Sequence, residues 1–230
     1  MGLFSRRKTR RRQGKATDWL RCPGCAEILP AEDVERHLGV CPACGFHHPR
    51  PVVSRLAELC DEGSFEEQDR RLHTADLLRF KGKRKYKDRL TEARKQSGSD
   101  EALRCGRARL DGRPVVVAVV DADFLEGSLG AVAGERLVRT LSRAHDDGCP
   151  AVLVVSGGGP RLGDGMLGQA QIARLADGRA ALYGASVPLI AVLAPPLPEG
   201  GLLSLAVSAD VVLAEPGASA EGATADALLD

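Results

Sequence analysis

Four cysteines near the N-terminus constrain this chain more than any other feature. Cys22 and Cys25 form one Cys-x-x-Cys pair, Cys41 and Cys44 form a second, and fifteen residues separate the pairs. Two such turns can direct four thiolates towards one Zn²⁺, and the spacing is typical of zinc ribbons. Glycine within or after each turn permits the positive φ that these turns often need. Because four protein ligands leave no open position, the pattern predicts a structural zinc site.

Other interpretations of these cysteines are weaker. A thioredoxin-like redox pair needs a strand before it and a helix after it, and the sequence indicates neither. Three histidines lie nearby, His37, His47 and His48, but four cysteines already complete the coordination shell. The remaining cysteines are isolated, and we expect small buried side chains at these positions: Cys60, Cys105 and Cys149.

Composition limits the compartment and the kind of core. Hydrophobic residues make up 43% of the 230 residues and aromatic residues only 3%, so Ala, Val and Leu must build the core. No apolar run of 18 residues predicts a membrane span, and the basic N-terminus lacks the apolar segment of a secretory signal. Seven cysteines, an odd number, then favour a reducing compartment, and we expect a cytoplasmic protein.

Positive charge is concentrated in two runs although the formal net charge is only +1. Residues 6–15 hold seven Lys or Arg and no acid, and a second basic run spans Arg79 to Lys95. Such runs are usually solvated surface, whereas the sharper alternative is contact with phosphates of nucleic acid or of a phosphorylated cofactor. We expect a basic flexible lead over 1–17, the zinc ribbon over 18–49 and the main domain over 50–230.

The second half of the chain alternates between predicted strands and helices. Apolar runs predict buried strands at 115–120, 151–155 and 187–194, and a fourth short strand at 211–214. Helical spacing of apolar residues predicts helices at 52–60, 134–145, 166–182 and 202–208. This alternation predicts an α/β fold with largely buried strands.

Two glycine-rich turns each follow a predicted strand and precede a predicted helix. One contains Ser156, Gly157 and Gly158, and the other contains Gly200 and Gly201. Backbone N–H groups at such a junction can hold an anion or an oxyanion. The alternative is that each turn needs glycine only for its backbone angles. Neither turn has the Lys-Ser/Thr of a phosphate-binding loop.

The order of these motifs resembles the β subunit of acetyl-CoA carboxylase carboxyltransferase. After the cysteine module come Lys85–Leu90 (Lys-Tyr-Lys-Asp-Arg-Leu), Gly127–Gly130 (Gly-Ser-Leu-Gly) and Ala214–Pro216 (Ala-Glu-Pro). The resemblance covers roughly residues 18–220. It implies a crotonase-like ββα-superhelix domain preceded by an N-terminal zinc ribbon.

The resemblance also implies an activity, partners and site residues. Carboxyl transfer from carboxybiotin to acetyl-CoA would give malonyl-CoA, the precursor of fatty acids or polyketides. The implied partners are a carboxyltransferase α subunit, a biotin carboxyl carrier protein and biotin carboxylase. Gly200 and Gly201 would supply backbone oxyanion donors. The implied substrate-binding residues are Ser156, Gly157, Gly158 and Arg161.

The chain departs from the family pattern at several places. The first glycine turn has one more residue before Arg161, Glu199 stands beside the second glycine pair, and the sequence ends where family members continue with further helices. Two alternatives therefore stand beside the carboxyltransferase subunit. One is a non-catalytic scaffold or regulatory subunit of a carboxylase complex, and the other is a zinc-ribbon protein that binds nucleic acid.

Overall fold

A division between Phe46 and His47 separates the chain into two structural units. The computed structural model describes residues 18–157, 159–195, 205–216 and 218. The N-terminal unit contains one antiparallel hairpin, in which β1 (Trp19–Arg21) pairs with β2 (Ile28–Pro30). The short helix α1 (Ala31–Arg36) follows directly.

The larger unit is built on a six-stranded sheet. Its elements, in chain order, are α2 (Val52–Leu59), β3 (Glu66–Gln68), α3 (Tyr86–Ser97), β4 (Leu103–Leu110), β5 (Arg113–Val120), α4 (Ala131–Asp147), β6 (Ala151–Val155), α5 (Met166–Gly184), β7 (Leu189–Leu193) and β8 (Val211–Ala214). The strands lie side by side in sequence order from β3 to β8. The pairs β3–β4 and β4–β5 are antiparallel, and all pairs from β5 to β8 are parallel.

Both faces of the sheet are covered, which explains why the central strands are apolar throughout. On one face, Val116, Ala118 and Val120 of β5 belong to a core that also includes Leu137 and Leu141 of α4. On the other face, the alternate valines of β5 pack in a cluster with Val52 and Leu56 of α2. Period-two alternation in β5 therefore fills two cores at once.

A buried ion pair connects α2 with the end of β8, 160 residues later. Arg55 donates to both carboxylate oxygens of Glu215, at 2.5 Å and 3.0 Å. Only 7% of the Arg55 side chain is exposed, against 28% for Glu215. The Ala214–Pro216 stretch, which carried part of the resemblance, is thus in direct contact with α2.

The predicted strands and helices of the second half agree with the structure where it describes them. The strand at 151–155 and the strand at 211–214 have the predicted bounds, and the others differ by two residues or fewer at each end. Of the predicted helix 202–208, residues 205–207 are helical and residues 202–204 lie outside the described part. Among the described residues, no helix is long and apolar enough to cross a membrane.

Strand β4 is the main element that the sequence did not predict. It carries three arginines, and the short strand β3 before it was not predicted either. Cys105 in β4 is fully buried, and Cys60 and Cys149 are also buried, as expected. By strand periodicity Arg104 lies on one face of β4 and Arg107 and Arg109 lie on the other, and each face also carries buried residues.

Candidate functional site

The four N-terminal cysteines form one cluster. Their sulfur atoms all lie within 4.8 Å of one another. The Cys22 and Cys44 sulfurs are 3.7 Å apart, and the Cys25 and Cys41 sulfurs are 3.9 Å apart. Thiolates about 2.3 Å from a tetrahedral Zn²⁺ lie about 3.8 Å from one another, so the spacing fits zinc. No histidine belongs to this group, the one cluster of possible metal ligands within the described residues.

The two Cys-x-x-Cys turns have the same backbone hydrogen bonds. Ala26 N–H donates to the Cys22 carbonyl at 2.8 Å, and Gly45 N–H donates to the Cys41 carbonyl at 2.9 Å. The residue after each turn has a positive φ, which is +60° at Ala26 and +74° at Gly45. Gly24, inside the first turn, is needed for another reason, because a Cβ there would lie 2.9 Å from the Phe46 Cβ.

Electrostatics explain why this cluster needs a cation. Burial raises the pKa of Cys22, but the backbone N–H groups of Cys25 and Gly24 and the neighbouring thiols lower it to about 7. The Phe46 N–H lowers the pKa of Cys44, yet burial and the neighbouring thiols raise it to about 12. One thiolate thus forms readily, and its negative charge opposes deprotonation of the neighbouring thiols. A bound Zn²⁺ removes that repulsion and would be held by all four sulfurs.

A second site candidate lies where the parallel strands end. The turn after β5 and the turn after β6 pack backbone against backbone at the carboxyl edge of the sheet, where α/β folds commonly bind ligands. A Cβ on Gly157 would lie 2.5 Å from the Glu126 carbonyl oxygen, and one on Gly127 would lie 2.7 Å from the Ser156 carbonyl oxygen. Only glycine permits this approach at both positions. Strand β7, parallel to β6, ends at the same edge.

Hydrogen bonds fix these two turns to each other. Leu129 N–H donates to the Gly159 carbonyl at 3.0 Å, and Arg161 N–H donates to the Leu129 carbonyl at 2.9 Å. Ser156 is buried, and its hydroxyl donates to the Val120 carbonyl at 3.2 Å. Hydrogen bonds thus anchor the first glycine turn on both sides, at Ser156 and at Gly159.

Arg161 lies inside the protein, with 3% of its side chain exposed. Its guanidinium donates to the Glu101 carboxylate at 2.6 Å, to the Ser128 carbonyl at 2.6 Å and to the Thr74 hydroxyl at 3.1 Å. It also lies over the Phe124 ring, 5.4 Å from the centroid. The guanidinium is thus used in internal contacts, and any effect of Arg161 on substrate binding passes through the turn that it holds.

The buried charges around Arg161 are balanced. Burial alone would lower the pKa of Arg161, but the carboxylate of Glu101 more than offsets this and raises it. Burial would likewise raise the pKa of Glu101, but the charge and hydrogen bonds of Arg161 outweigh it and lower the pKa. Both groups therefore stay ionised in the interior.

Asp164 and Tyr86 complete this buried network. The Tyr86 hydroxyl donates to Asp164 Oδ1 at 2.8 Å, and the Ala131 N–H at the start of α4 donates to Asp164 Oδ2 at 2.7 Å. Burial and the Asp164 carboxylate raise the pKa of Tyr86, so its hydroxyl stays a neutral donor. Gly163 lies directly on the Tyr86 ring, since a Cβ there would be 2.6 Å from ring carbons.

The sequence-predicted site residues are only partly within the described structure. Ser156, Gly157 and Arg161 lie together at the carboxyl edge, whereas Gly158, Gly200 and Gly201 lie outside the described residues. Sequence reasoning missed the buried polar residues of this edge. These missed residues are Thr74, Tyr86, Glu101 and Asp164. The one available signal was Tyr86, an aromatic side chain within a run of lysines and arginines.

Both parts of the chain match protein-family models. Residues 51–221 match the carboxyl transferase domain, and residues 19–44 match the acetyl-CoA carboxylase zinc finger domain. A zinc ribbon together with this crotonase-like α/β domain defines the class of carboxyl transferases, as the sequence predicted.

Curated relatives identify the family within that class. The chain is 37% identical over 198 residues to the acetyl-coenzyme A carboxylase carboxyl transferase subunit beta of Citrifermentans bemidjiense, covering 86% of this chain and 70% of the relative. It is 39% identical over 203 residues to the same subunit of Rubrobacter xylanophilus, covering 88% and 78%. The chain belongs to the family of acetyl-CoA carboxylase carboxyl transferase beta subunits.

Solved structures agree on the fold. A transcarboxylase 12S structure superposes with a TM-score of 0.59 at 24% identity, over 80% of this chain and 32% of that chain. A Pseudomonas malonate decarboxylase hetero-dimer superposes with a TM-score of 0.56 at 26% identity, over 79% and 71%. The chain thus spans about a third of the transcarboxylase chain that it matches.

Proposed function

We propose that this chain is the β subunit of an acetyl-CoA carboxylase carboxyltransferase. It would act with an α subunit, a biotin carboxyl carrier protein and biotin carboxylase. The observation that carries the proposal is the family match over 51–221. It is supported by the two turns that meet at Gly127 and Gly157, at the carboxyl edge of the parallel strands. The proposed partition is a basic lead over 1–17, a zinc ribbon over 18–49 and a transferase domain over 50–230.

The proposed reaction moves a carboxyl group between two co-substrates. Carboxybiotin on the carrier supplies the carboxyl group when its C–N bond breaks. The acetyl-CoA methyl group loses one proton, which biotin takes up, and its carbon forms a bond to the carboxyl carbon to give malonyl-CoA. Negative charge develops on the thioester oxygen, where backbone N–H donors stabilise it.

We assign these donors to the glycine turns. Gly200 and Gly201 are proposed as the backbone donors, and Ser156, Gly157 and Gly158 as the segment that receives the substrate. Arg161 contributes by holding that segment. Loss of one oxyanion donor typically lowers kcat about 10²- to 10³-fold, so exact placement of these turns matters.

The zinc ribbon is proposed to be structural, and the compartment cytoplasmic. Four cysteines close the coordination shell, so the ion has no position left for a substrate. Thiolate ligands and free cysteines suit a reducing compartment.

Reconstitution tests the proposal. The chain is mixed with an α subunit, carboxylated carrier protein and acetyl-CoA, and malonyl-CoA is measured by mass spectrometry. We expect turnover that Gly200→Val or Gly201→Val removes while the complex stays intact. A complex that assembles but forms no malonyl-CoA with wild-type chain would favour the non-catalytic scaffold instead.

A further inference from the structure

The turn that follows β5 has an unusual backbone. Three consecutive residues have positive φ, which is +47° at Leu125, +60° at Glu126 and +69° at Gly127. Each of the two non-glycine residues costs about 1–2 kcal/mol in this conformation. Such a conformation persists only where surrounding contacts determine it, and it is concentrated at functional sites.

The contacts that hold this turn lie at both of its ends. Its near end packs on Gly157, where a Cβ would lie 2.5 Å from the Glu126 carbonyl oxygen. At its far end, Arg161 binds the Ser128 carbonyl, and Asp164 accepts the Ala131 N–H at 2.7 Å. Asp164 therefore fixes the first residue of helix α4, which follows the strained turn by four residues.

Asp164 is itself held by Tyr86, the first residue of α3. The Tyr86 hydroxyl donates to its Oδ1 at 2.8 Å, so each carboxylate oxygen has one donor. Tyr86 is 2% exposed, and its ring lies against Gly163 with no room for a side chain there. The ring is thus held in place, and its hydroxyl donates to one oxygen of the carboxylate.

We propose that Tyr86 and Asp164 are positioning residues for carboxyl transfer. They orient the start of α4 and the strained turn before it against the glycine turn at Ser156 and Gly157. This inference rests on the proposed function, since the glycine turn at Ser156 and Gly157 is taken to belong to the segment that receives the substrate. Neither residue touches the substrate, and both act through the backbone that they hold.

The test compares single and double variants in the reconstituted complex. Tyr86→Phe removes one hydroxyl and leaves the ring in place. We expect kcat to fall about tenfold or more, with the KM for acetyl-CoA within about twofold, because misplacement of catalytic groups acts on the transition state. Asp164→Ala should lower kcat further, and adding Tyr86→Phe to it should change nothing more, because the pair acts as one unit.

The matched control is Tyr183→Phe, since the chain has two tyrosines and this one is 74% exposed. It removes the same hydroxyl from the surface, and we expect unchanged kcat. If the Tyr86→Phe enzyme keeps wild-type kcat while its melting temperature falls, the hydroxyl has only a structural role and the proposal is wrong. The proposal would also be overturned if the fold loss of kcat in the double variant equalled the product of the losses in Tyr86→Phe and Asp164→Ala.

A second readout does not depend on turnover. Hydrogen–deuterium exchange of peptides covering 125–131 should speed up in Tyr86→Phe and stay unchanged in Tyr183→Phe. Unchanged exchange in Tyr86→Phe would overturn the positioning role whether or not the enzyme is active. If the wild-type complex makes no malonyl-CoA but exchange responds as expected, the proposed function fails and the positioning of the turn stands.

Discussion

Replacing Glu101 by Gln tests the buried ion pair that holds the glycine turn. Glu101 accepts from Arg161 at 2.6 Å and from the Ala102 N–H at 2.8 Å, and its second oxygen accepts from the Thr74 hydroxyl. Glutamine keeps the shape but removes the carboxylate that pairs with Arg161, and only Asp164, which makes no direct ion pair with it, then offsets the buried charge. Breaking such a pair costs about 3–5 kcal/mol. For a domain of this size, that corresponds to a fall in Tm of about 6–20 °C.

Urea unfolding followed by far-UV circular dichroism measures this loss at pH 7, with zinc present. Glu67→Gln is the matched control, because Glu67 also pairs with an arginine, Arg104, through two hydrogen bonds. That pair is partly exposed, so water replaces the lost partner, and we expect a cost of at most about 1 kcal/mol. A Glu101→Gln variant no less stable than Glu67→Gln would refute the reasoning.

The same pair predicts a pH dependence. The folded-state pKa of Glu101 is lowered, so its contribution to stability is complete above its unfolded pKa of about 4.3. The contribution is lost as the pH falls from there through the folded pKa. Because the glutamine side chain of the Glu101→Gln variant does not titrate, the stability difference between wild type and this variant should shrink below about pH 4.3. A difference that is constant or widens in acid would contradict the ion pair.

Three further predictions concern the ribbon and the ion pair on α2. Cys41→Ser should lower the zinc content, measured by mass spectrometry, from about one ion per chain to near zero, whereas Cys60→Ser should keep it; retention by the Cys41 variant would exclude a four-cysteine site. Ala26→Gly should slow zinc release to a chelator, because it relieves a positive φ that costs about 1–2 kcal/mol; equal or faster release would show that no strain is present. Arg55→Met should lower the free energy of unfolding by about 1–3 kcal/mol through loss of its pair with Glu215, and an unchanged urea midpoint would count against that contact.

The apolar parts of the fold could be predicted from sequence because burial leaves a local pattern. The run at 151–155 is a fully buried strand for that reason, and the helices at 134–145 and 166–182 follow from apolar spacing. The strand at 211–214 was also predicted from its apolar run, although its side chains are exposed in the described structure. Strand β4 could not be predicted in this way. It alternates arginines with small residues, and its burial depends on the neighbouring strands.

The two candidate sites also differ in whether their residues form a local sequence pattern. The zinc ligands are two short motifs, and their spacing alone predicted the cluster. The buried network joins Tyr86 to Asp164, 78 residues apart, and Glu101 to Arg161, 60 residues apart. Nothing local marks a charged residue as buried when its partner is that distant, so this network became visible only in three dimensions.

Single-turnover carboxyl transfer tests the central claim most directly. Carboxylated carrier protein is mixed with acetyl-CoA, an α subunit and this chain, and malonyl-CoA is quantified by mass spectrometry. The account predicts about one malonyl-CoA per carboxylated carrier, dependent on both subunits, and a marked loss with Gly201→Val. An intact complex that leaves the carrier carboxylated and acetyl-CoA unchanged would contradict it.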